Sequence, residues 1–423
     1  MRTICTTSIA SVLAAASTLT AAAGELHLLG LVPFSYADDV SDDGQVVVGY
    51  DRQSYWYWTP SSGVVQLLDT TIPPGSGVGG QGCITADGRF MTCSTLQGTP
   101  QKAEATIYDI QTLQYRPVGN WGYNCDIERT GAWGMSNDGK HVVGLGWQIG
   151  CAARGFEWSE GATALTDLGT LYFYKPTRAN DISDDGRVIA GWNDDYSGWR
   201  QAAAWIKNAQ GVFVQTNITA PPPAGSTIPI KMSEADVVSG DGHWVYGIGR
   251  STFASGAAWR WSPATGVQAI GSNPTAGQEG YVVDANYDGS KVLCFYGVMG
   301  GGGSYLWTAE RGYVELSQIA NEAGVTIPDG WELNLPLGMS EDALTIVGTA
   351  SGPNGTSPFV LDLRPTPQFC TADLNADGSV SAPDLTIVLS QWGAAGGSAD
   401  LNGDGVVGPQ DITVLLSQWG PCL

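Results

Sequence analysis

Basic side chains are scarce in this chain: 19 Lys and Arg stand against 41 Asp and Glu, a net charge of −22. Nucleic-acid binding needs basic stripes to neutralise phosphates, so that class is excluded. Long apolar runs are also missing. Beyond Ile9–Leu19 no stretch approaches the ~18 apolar residues of a membrane-spanning helix. Histidine occurs three times, at His27, His141 and His243, with no pair at metal-ligand spacing. No Gly-x-Ser-x-Gly elbow is present, and His141 and His243 fall in repeated strand positions, which marks them as structural. The glycine run "GVMGGGGSYL" (297–306) has no Lys and no following helix to cradle a phosphate, and reads as a flexible loop tip.

What is present begins with an export signal. Arg2, the apolar stretch Ile9–Leu19 and the small residues of "TAAAG" predict a signal peptide over 1–23, and hence a secreted, extracellular or cell-surface protein. The cysteines beyond it are Cys83, Cys93, Cys125, Cys151, Cys294, Cys370 and Cys422, and outside the cell pairing is the default. Cys83 with Cys93 and Cys125 with Cys151 are the local pairs to expect, leaving Cys294 alone in "KVLCFYG". A catalytic thiol needs a basic neighbourhood and a partner histidine, and none of the seven has both.

From 24 to 363 one phrase recurs seven times: "VSDDGQVVVG" (40–49), "ITADGRFMTC" (84–93), "MSNDGKHVVG" (135–144), "ISDDGRVIAG" (182–191), "VSGDGHWVYG" (238–247), "ANYDGSKVLC" (285–294) and "MSEDALTIVG" (339–348). Asp-Gly before a β-rich run signals a tight hairpin turn. Its return every 44–56 residues signals a propeller or array. Each unit then places one aromatic, Trp58, Tyr108, Trp158, Trp205, Trp261, Trp307 and Phe359, at a repeated position that fits core packing. The last unit stops at "PFVLDLRP" without a final strand, and the first strand (25–31) is spare. Joining the two closes a ring and removes exposed sheet edges. The fold class expected is mainly β: a propeller of about seven blades.

Residues 364–369 form a linker, and 370–423 change character. "DLNADGSVSAPD" (373–384) and "DLNGDGVVGPQD" (400–411) are twelve-residue loops 27 residues apart. A Ca²⁺ loop draws oxygen ligands from positions 1, 3, 5, 7 and 12 and turns on a glycine at 6. The first loop supplies Asp373, Asn375, Asp377, the Ser379 carbonyl and Asp384 around Gly378; the second supplies Asp400, Asn402, Asp404, the Val406 carbonyl and Asp411 around Gly405. Pro383 and Pro409 start a helix after each loop. The apolar stripes Leu385, Val388, Leu389, Trp392 and Ile412, Leu415, Leu416, Trp419 match, and a shared core dominated by Leu389, Trp392, Leu416 and Trp419 is expected.

This duplication resembles the type I dockerin domain, in the GC-type variant that opens at Cys370 and closes with "WGPC" at Cys422. The resemblance implies two Ca²⁺ ions, a Cys370–Cys422 clamp across the module, and an anchoring role toward a cohesin-like or cell-surface partner. Loop positions 10 and 11 hold Ala382-Pro383 and Pro409-Gln410, where cohesin-binding dockerins usually carry small hydroxyl or aliphatic residues. The phrase "LGTLYFYKPTRANDISDDGRVIAG" resembles the bacterial extracellular HAF repeat, which implies an exported propeller and no chemistry.

Together these features predict a secreted or surface-anchored propeller that binds a ligand or scaffolds, carried by a calcium-dependent module, with a carbohydrate or protein ligand at the propeller mouth. The alternative is a polysaccharide-degrading enzyme on the same anchor, using paired carboxylates drawn from Glu104, Glu128, Glu157, Glu234 and Glu332. The loops 119–132 and 192–200 combine Trp, acid and Arg and are the places to look for ligand contact.

Overall fold

In the computed structural model, residues 24–30, 34–71, 80–123, 125, 128–298, 301–364 and 371–421 are described. The predicted signal peptide, nearly all of the linker, and Cys370 and Cys422 with their predicted clamp lie outside them. Two compact units divide the described residues, Gly24–Arg364 and 371–421. No helix among them is long and apolar enough to cross a membrane.

The larger unit is a seven-bladed propeller of antiparallel sheets, with strands in chain order from the inner strand outward in blades 1 to 6. Blade 1 runs through Tyr36–Val40, Val47–Tyr50, Tyr55–Thr59 and Gly63–Leu67. Blade 2 has Phe90–Gln97, Lys102–Asp109 and Gln114–Pro117, its inner strand reduced to an Ile84–Met91 bridge. Blades 3 to 6 begin at the inner strands Thr130–Met135, Thr177–Ile182, Ala235–Val238 and Glu279–Ala285. Blade 7 takes Glu332–Met339, Thr345–Gly352 and Gly355–Asp362, and its outer strand is Glu25–Leu28 from the other end of the unit. Leu26 pairs with Leu361 and Leu28 with Phe359, so the ring closes as the spare strand implies.

The repeated phrase builds one turn. In blade 1 the Ser41 hydroxyl donates to Asp43 (2.6 Å) and accepts from the Val46 N–H (3.0 Å), while Asp43 accepts from the Gln45 N–H (2.9 Å). Gly44 sits at φ 72, the left-handed region that a Cβ makes costly. The glycine that ends the phrase has a different reason. A Cβ on Gly49, Gly191 or Gly348 would stand 2.0–2.2 Å from a carbonyl of the inner strand.

That second glycine slot explains a correction among the cysteines. Cys93 and Cys294 occupy it in blades 2 and 6 and are buried there; Cys125–Cys151 is bonded, but Cys83 and Cys93 are free. Cys83 faces the channel and Cys93 lies inside its strand, so the expected Cys83–Cys93 pair does not form. Burial pushes both thiols up, away from reactivity.

Six of the seven aromatics share a register, each pairing with the residue four after its turn Asp, as Trp58 does with Val47 and Trp205 with Ile189. In blade 7 that slot belongs to Leu361, opposite Ile346; Phe359 is two residues out and pairs with Leu28 of the closing strand. The described residues of the glycine run likewise lie in strands rather than a loop tip, since Gly301–Thr308 pairs with Lys291–Val298.

In the C-terminal unit, helices Ala382–Ser390 and Pro409–Ser417 follow the two loops. The core is Ala372, Val380, Val388, Ala399, Val407 and Leu415. The stripe is corrected here: Leu389, Trp392, Leu416 and Trp419 are 51, 48, 54 and 49% exposed. Nine-residue helices present one narrow row inward, and the loops themselves supply Val380 and Val407 to meet it. Val388 and Leu415 therefore fill the core and the next positions on each helix face outward.

Candidate functional site

The propeller channel is built by a backbone irregularity. In blades 1 and 3 to 7 the inner strand carries one unpaired residue just before its turn: Asp38, Trp133, Asn180, Asp236, Val283 and Leu337. An extra residue puts two consecutive side chains on one face, a device common beside functional sites. So Asp38 and Asp39, Asn180 and Asp181, Val283 and Asp284 all line a common central space. The unpaired residue is polar in blades 1, 4 and 5 and apolar in 3, 6 and 7, so across the ring polar Asp38 faces the polar pair of blades 4 and 5, and Trp133 faces the apolar pair of blades 6 and 7.

Asp39, Asp181 and Asp284 tie blades together. Each accepts the next N–H of its own strand and one from the neighbouring blade: Asp39 from Ile84 (2.8 Å), Asp181 from Val238 (2.7 Å), Asp284 from Met339 (2.7 Å). Burial nevertheless pushes the Asp39 carboxyl up to about 6 and Asp181 to about 7, with Asp284 raised as well. At the mouth formed by the turns, Asp42, Asp184 and Glu341 are also raised, first by burial and then by neighbouring acids.

The other mouth, where the inner strands start, is an open cavity of about 390 Å3 lined by Asp38, Trp133, Arg178, Arg200, Glu234, Asp236, Tyr281 and Phe295. Glu234 is buried and holds Arg178 on one carboxylate oxygen and Arg200 on the other, at 2.5 and 2.8 Å. Arg178 lies 3.7 Å over the Trp133 ring and Arg200 lies 4.5 Å over Trp192. Asn180 donates to Glu234 and Asp236. Among the predicted glycosidase candidates only Glu234 reaches this cavity. Glu104 pairs with Arg129 and Asn120; Glu157 with His141; Glu128 is buried against Trp147 and pushed up to about 8; Glu332 is an exposed strand residue of blade 7. They are distributed over blades 2, 3, 5 and 7, and the two set closest in the backbone, Glu104 and Glu128 across the Ala103–Glu128 bridge, do not line the mouth cavity.

His141 has Ser159 at 3.3 Å and Glu157 at 3.0 Å, but both face the same ring nitrogen, Nδ1. A nucleophile relay needs one partner on each nitrogen, so this is a packing cluster. His27 stands against Trp58 in the closing strand, and His243 is exposed on Trp244. Of the loops singled out in the sequence, 192–200 contributes Trp192 and Arg200 to the site, whereas the described residues of 119–132 do not line the mouth cavity. Sequence reasoning missed Asp38, Trp133, Asn180 and Asp236. The available signal was an Ala two residues ahead of a channel-facing doublet's end, as in Ala37-Asp38-Asp39 and Ala179-Asn180-Asp181.

In the C-terminal unit, Asp373, Asp377 and Asp384 bring carboxylate oxygens within 4.8 Å of one another, the only such acidic or Cys/His trio among the described residues. Like charges this close repel unless a cation neutralises them. Asp384, fully buried, also accepts the Leu374 and Ser381 N–H groups (2.8 and 2.9 Å), as Asp411 does those of Leu401 and Gly408 (2.7 and 2.6 Å). Asp400 keeps one buried carboxylate oxygen, Oδ1, with no hydrogen-bond partner. An oxygen-only donor set with an orphaned carboxylate atom fits a hard divalent cation.

The comparisons agree with this division. Residues 371–418 match the family model "Dockerin type I domain". Dockerin domains bind calcium and cohesins and occur on extracellular proteins. No curated protein matches the chain. Among solved structures, the oligogalacturonate lyase of Vibrio parahaemolyticus is 14% identical over 80% of this chain and 93% of that one, TM-score 0.50. An oligogalacturonate lyase in complex with manganese is 13% identical over 80% and 93%, TM-score 0.51. TolB from Acinetobacter baumannii is 16% identical over 54% of this chain, TM-score 0.37, and the match spans about half (52%) of that protein. At such identities the likeness to the lyases shows the fold alone. Residues 371–418 are thus a dockerin type I domain, carried in one chain with a seven-bladed β-propeller.

Proposed function

We propose that the chain is an exported, non-enzymatic binding protein. Its propeller takes a ligand at the strand-start mouth, and its dockerin domain anchors it through calcium to a cohesin-like or cell-surface partner. The supporting observation is the combination, in one chain, of a dockerin domain and a propeller whose channel opens as a charged, aromatic-lined cavity.

Two ions are assigned. One goes to Asp373, Asn375, Asp377, the Ser379 carbonyl and Asp384; the other goes to Asp400, Asn402, Asp404, the Val406 carbonyl and Asp411. The anchoring face is assigned to Leu389, Trp392, Leu416 and Trp419, the same exposed pair carried twice at the two helix ends. Calorimetry on the full chain is expected to count two Ca²⁺ sites, with Asp373→Ala and Asp400→Ala each removing one. A count of one or none in the parent protein ends the assignment. Trp392→Ala with Trp419→Ala is expected to abolish capture by an immobilised cohesin or cell-wall fraction while Ca²⁺ binding persists. Release of reducing ends from a polysaccharide, lost in Glu234→Gln, would replace this reading with the anchored enzyme.

A further inference from the structure

A second cavity of about 540 Å3 adjoins the channel mouth, lined by Trp147, Ile149, Tyr174, Pro176, Trp192 and the arginines 178 and 200. Both arginines also line the mouth cavity, so the two spaces meet at them. Each volume falls in the range of small-ligand sites, ~300–1,000 Å3.

Its rim is unusual for a chain that buries its aromatics so consistently. Tyr174 is 74% exposed and Ile149 75%, and beside them Phe173, Tyr196 and Trp199 are as open. All come from three loops at the strand-start end of blades 3 and 4: 148–152, 168–177 and 194–200. Exposed aromatics gathered beside a cavity mark contact with a ligand rather than packing.

The arginines decide the ligand's charge. Glu234 occupies one nitrogen of each, and the stacking on Trp133 and Trp192 fixes both guanidinium planes. Among the described residues the Arg200 side chain makes no other hydrogen bond and is half exposed, so its remaining donors are open to the cavities. Glu234 is the one anion hydrogen-bonded to both arginines; Asp38 and Asp236 also line the mouth cavity, and burial pushes both of those carboxyls well above the ordinary carboxylate range. A planar fork of this kind suits a carboxylate or sulfate. Aromatic walls on both sides of it suit the apolar C–H faces of sugar rings.

We infer that the groove from Tyr174 and Trp147 across Arg178 and Arg200 to Tyr281 is a binding site for an acidic glycan chain. It holds an anionic group at the arginines and sugar rings against the flanking aromatics. The inference rests on the proposal that the propeller's strand-start mouth binds a ligand, and it names the class.

The test is calorimetry on the full, calcium-loaded chain with short oligouronates, short sulfated oligosaccharides, neutral oligosaccharides of equal length and poly-glutamate. Short probes avoid calcium-driven gelling. Acidic oligosaccharides are expected to bind, and Arg200→Gln and Tyr174→Ala to weaken them about tenfold or more, with the melting temperature unshifted in Tyr174→Ala, since Tyr174 is 74% exposed. Whether uronates or sulfated sugars win identifies the acid. Equal or better binding of neutral sugars overturns the acidic class and leaves the binding role standing. Preference for poly-glutamate overturns the glycan. Absence of binding to every probe overturns both the class and the binding role.

Discussion

Both units of this chain are rich in aspartate, yet they dispose of its charge in opposite ways. In the propeller, Asp39, Asp181 and Asp284 each accept two backbone N–H groups, one from the adjoining blade, and burial raises their carboxyls. In the dockerin domain, Asp373, Asp377 and Asp384 converge on one another, and Asp400 keeps a buried oxygen with no donor. Backbone donors reach the carboxylates of both units; what differs is that each channel aspartate bridges two blades, whereas the loop aspartates converge on one another.

The largest effect should therefore come from removing calcium. Chelator is expected to abolish the helical signal of the dockerin domain, because a core of about six small side chains cannot hold a domain of this size alone. The propeller's melting transition is expected to stay in place. A propeller transition that moves with calcium would break the comparison and place a cation among the channel carboxylates.

Next comes closure of the ring. Removing Glu25–Leu28 exposes the edge of blade 7 and uncovers the cluster that Leu26 and Leu28 pack on, a loss of ~3 kcal/mol from the two leucines alone. Calorimetry of the truncated chain should show a lower propeller midpoint and an unchanged calcium response. An unaltered midpoint would mean that the ring is not held by this strand.

How much of this could be read from the sequence follows the same division. The dockerin loops are local, so twelve consecutive residues display each of them, and the domain at 371–418 was legible from 373–384 and 400–411. The repeated turn is local too. The channel was not, because Asp38 and Asn180 reach it only through a bulge that breaks the two-residue alternation of a strand. Which helix face points inward was lost for a related reason: Leu389 and Trp392 look like core until Val380 and Val407, from the loops, are seen to occupy it.

pH separates the units by sign. Asp39 and Asp181 have folded pKa values near 6 and 7, above the ordinary 3.8. The folded propeller thus binds more protons than the unfolded chain between about pH 4 and 7, so this contribution is fully present below pH 4 and is lost as pH rises through 7. Asp181→Asn should flatten that slope, and Asp181→Ala should cost ~1–3 kcal/mol by orphaning the Ile182 and Val238 N–H groups. The dockerin domain runs the other way: the Asn375 side chain holds the Asp377 carboxyl, and the Gly408 N–H the Asp411 carboxyl, below the usual range, so their contribution is present at neutral pH and is lost in acid. Melting curves of the two transitions against pH check both, and parallel slopes would defeat the contrast.

The smallest effect compares one substitution in two settings. Ala343 (φ 54) holds the turn position that glycine takes in the other six repeats, and Ala376 (φ 56) holds the loop position that Gly403 takes in the second loop. Left-handed backbone costs an L-residue ~1–2 kcal/mol, and glycine's greater freedom in the unfolded chain returns ~0.5–1 of that. At Ala376, which is exposed, the difference should appear undiminished: Ala376→Gly is expected to stabilise by up to ~1 kcal/mol, read as up to about fivefold tighter Ca²⁺ binding because folding and binding are coupled. Ala343 is buried in the blade 7 core, where its methyl contributes ~0.8 kcal/mol. Ala343→Gly should therefore leave the propeller midpoint almost unmoved. Equal gains at both sites would mean that the Ala343 methyl contributes nothing to the core, and a loss at Ala376 would mean that the loop is not strained.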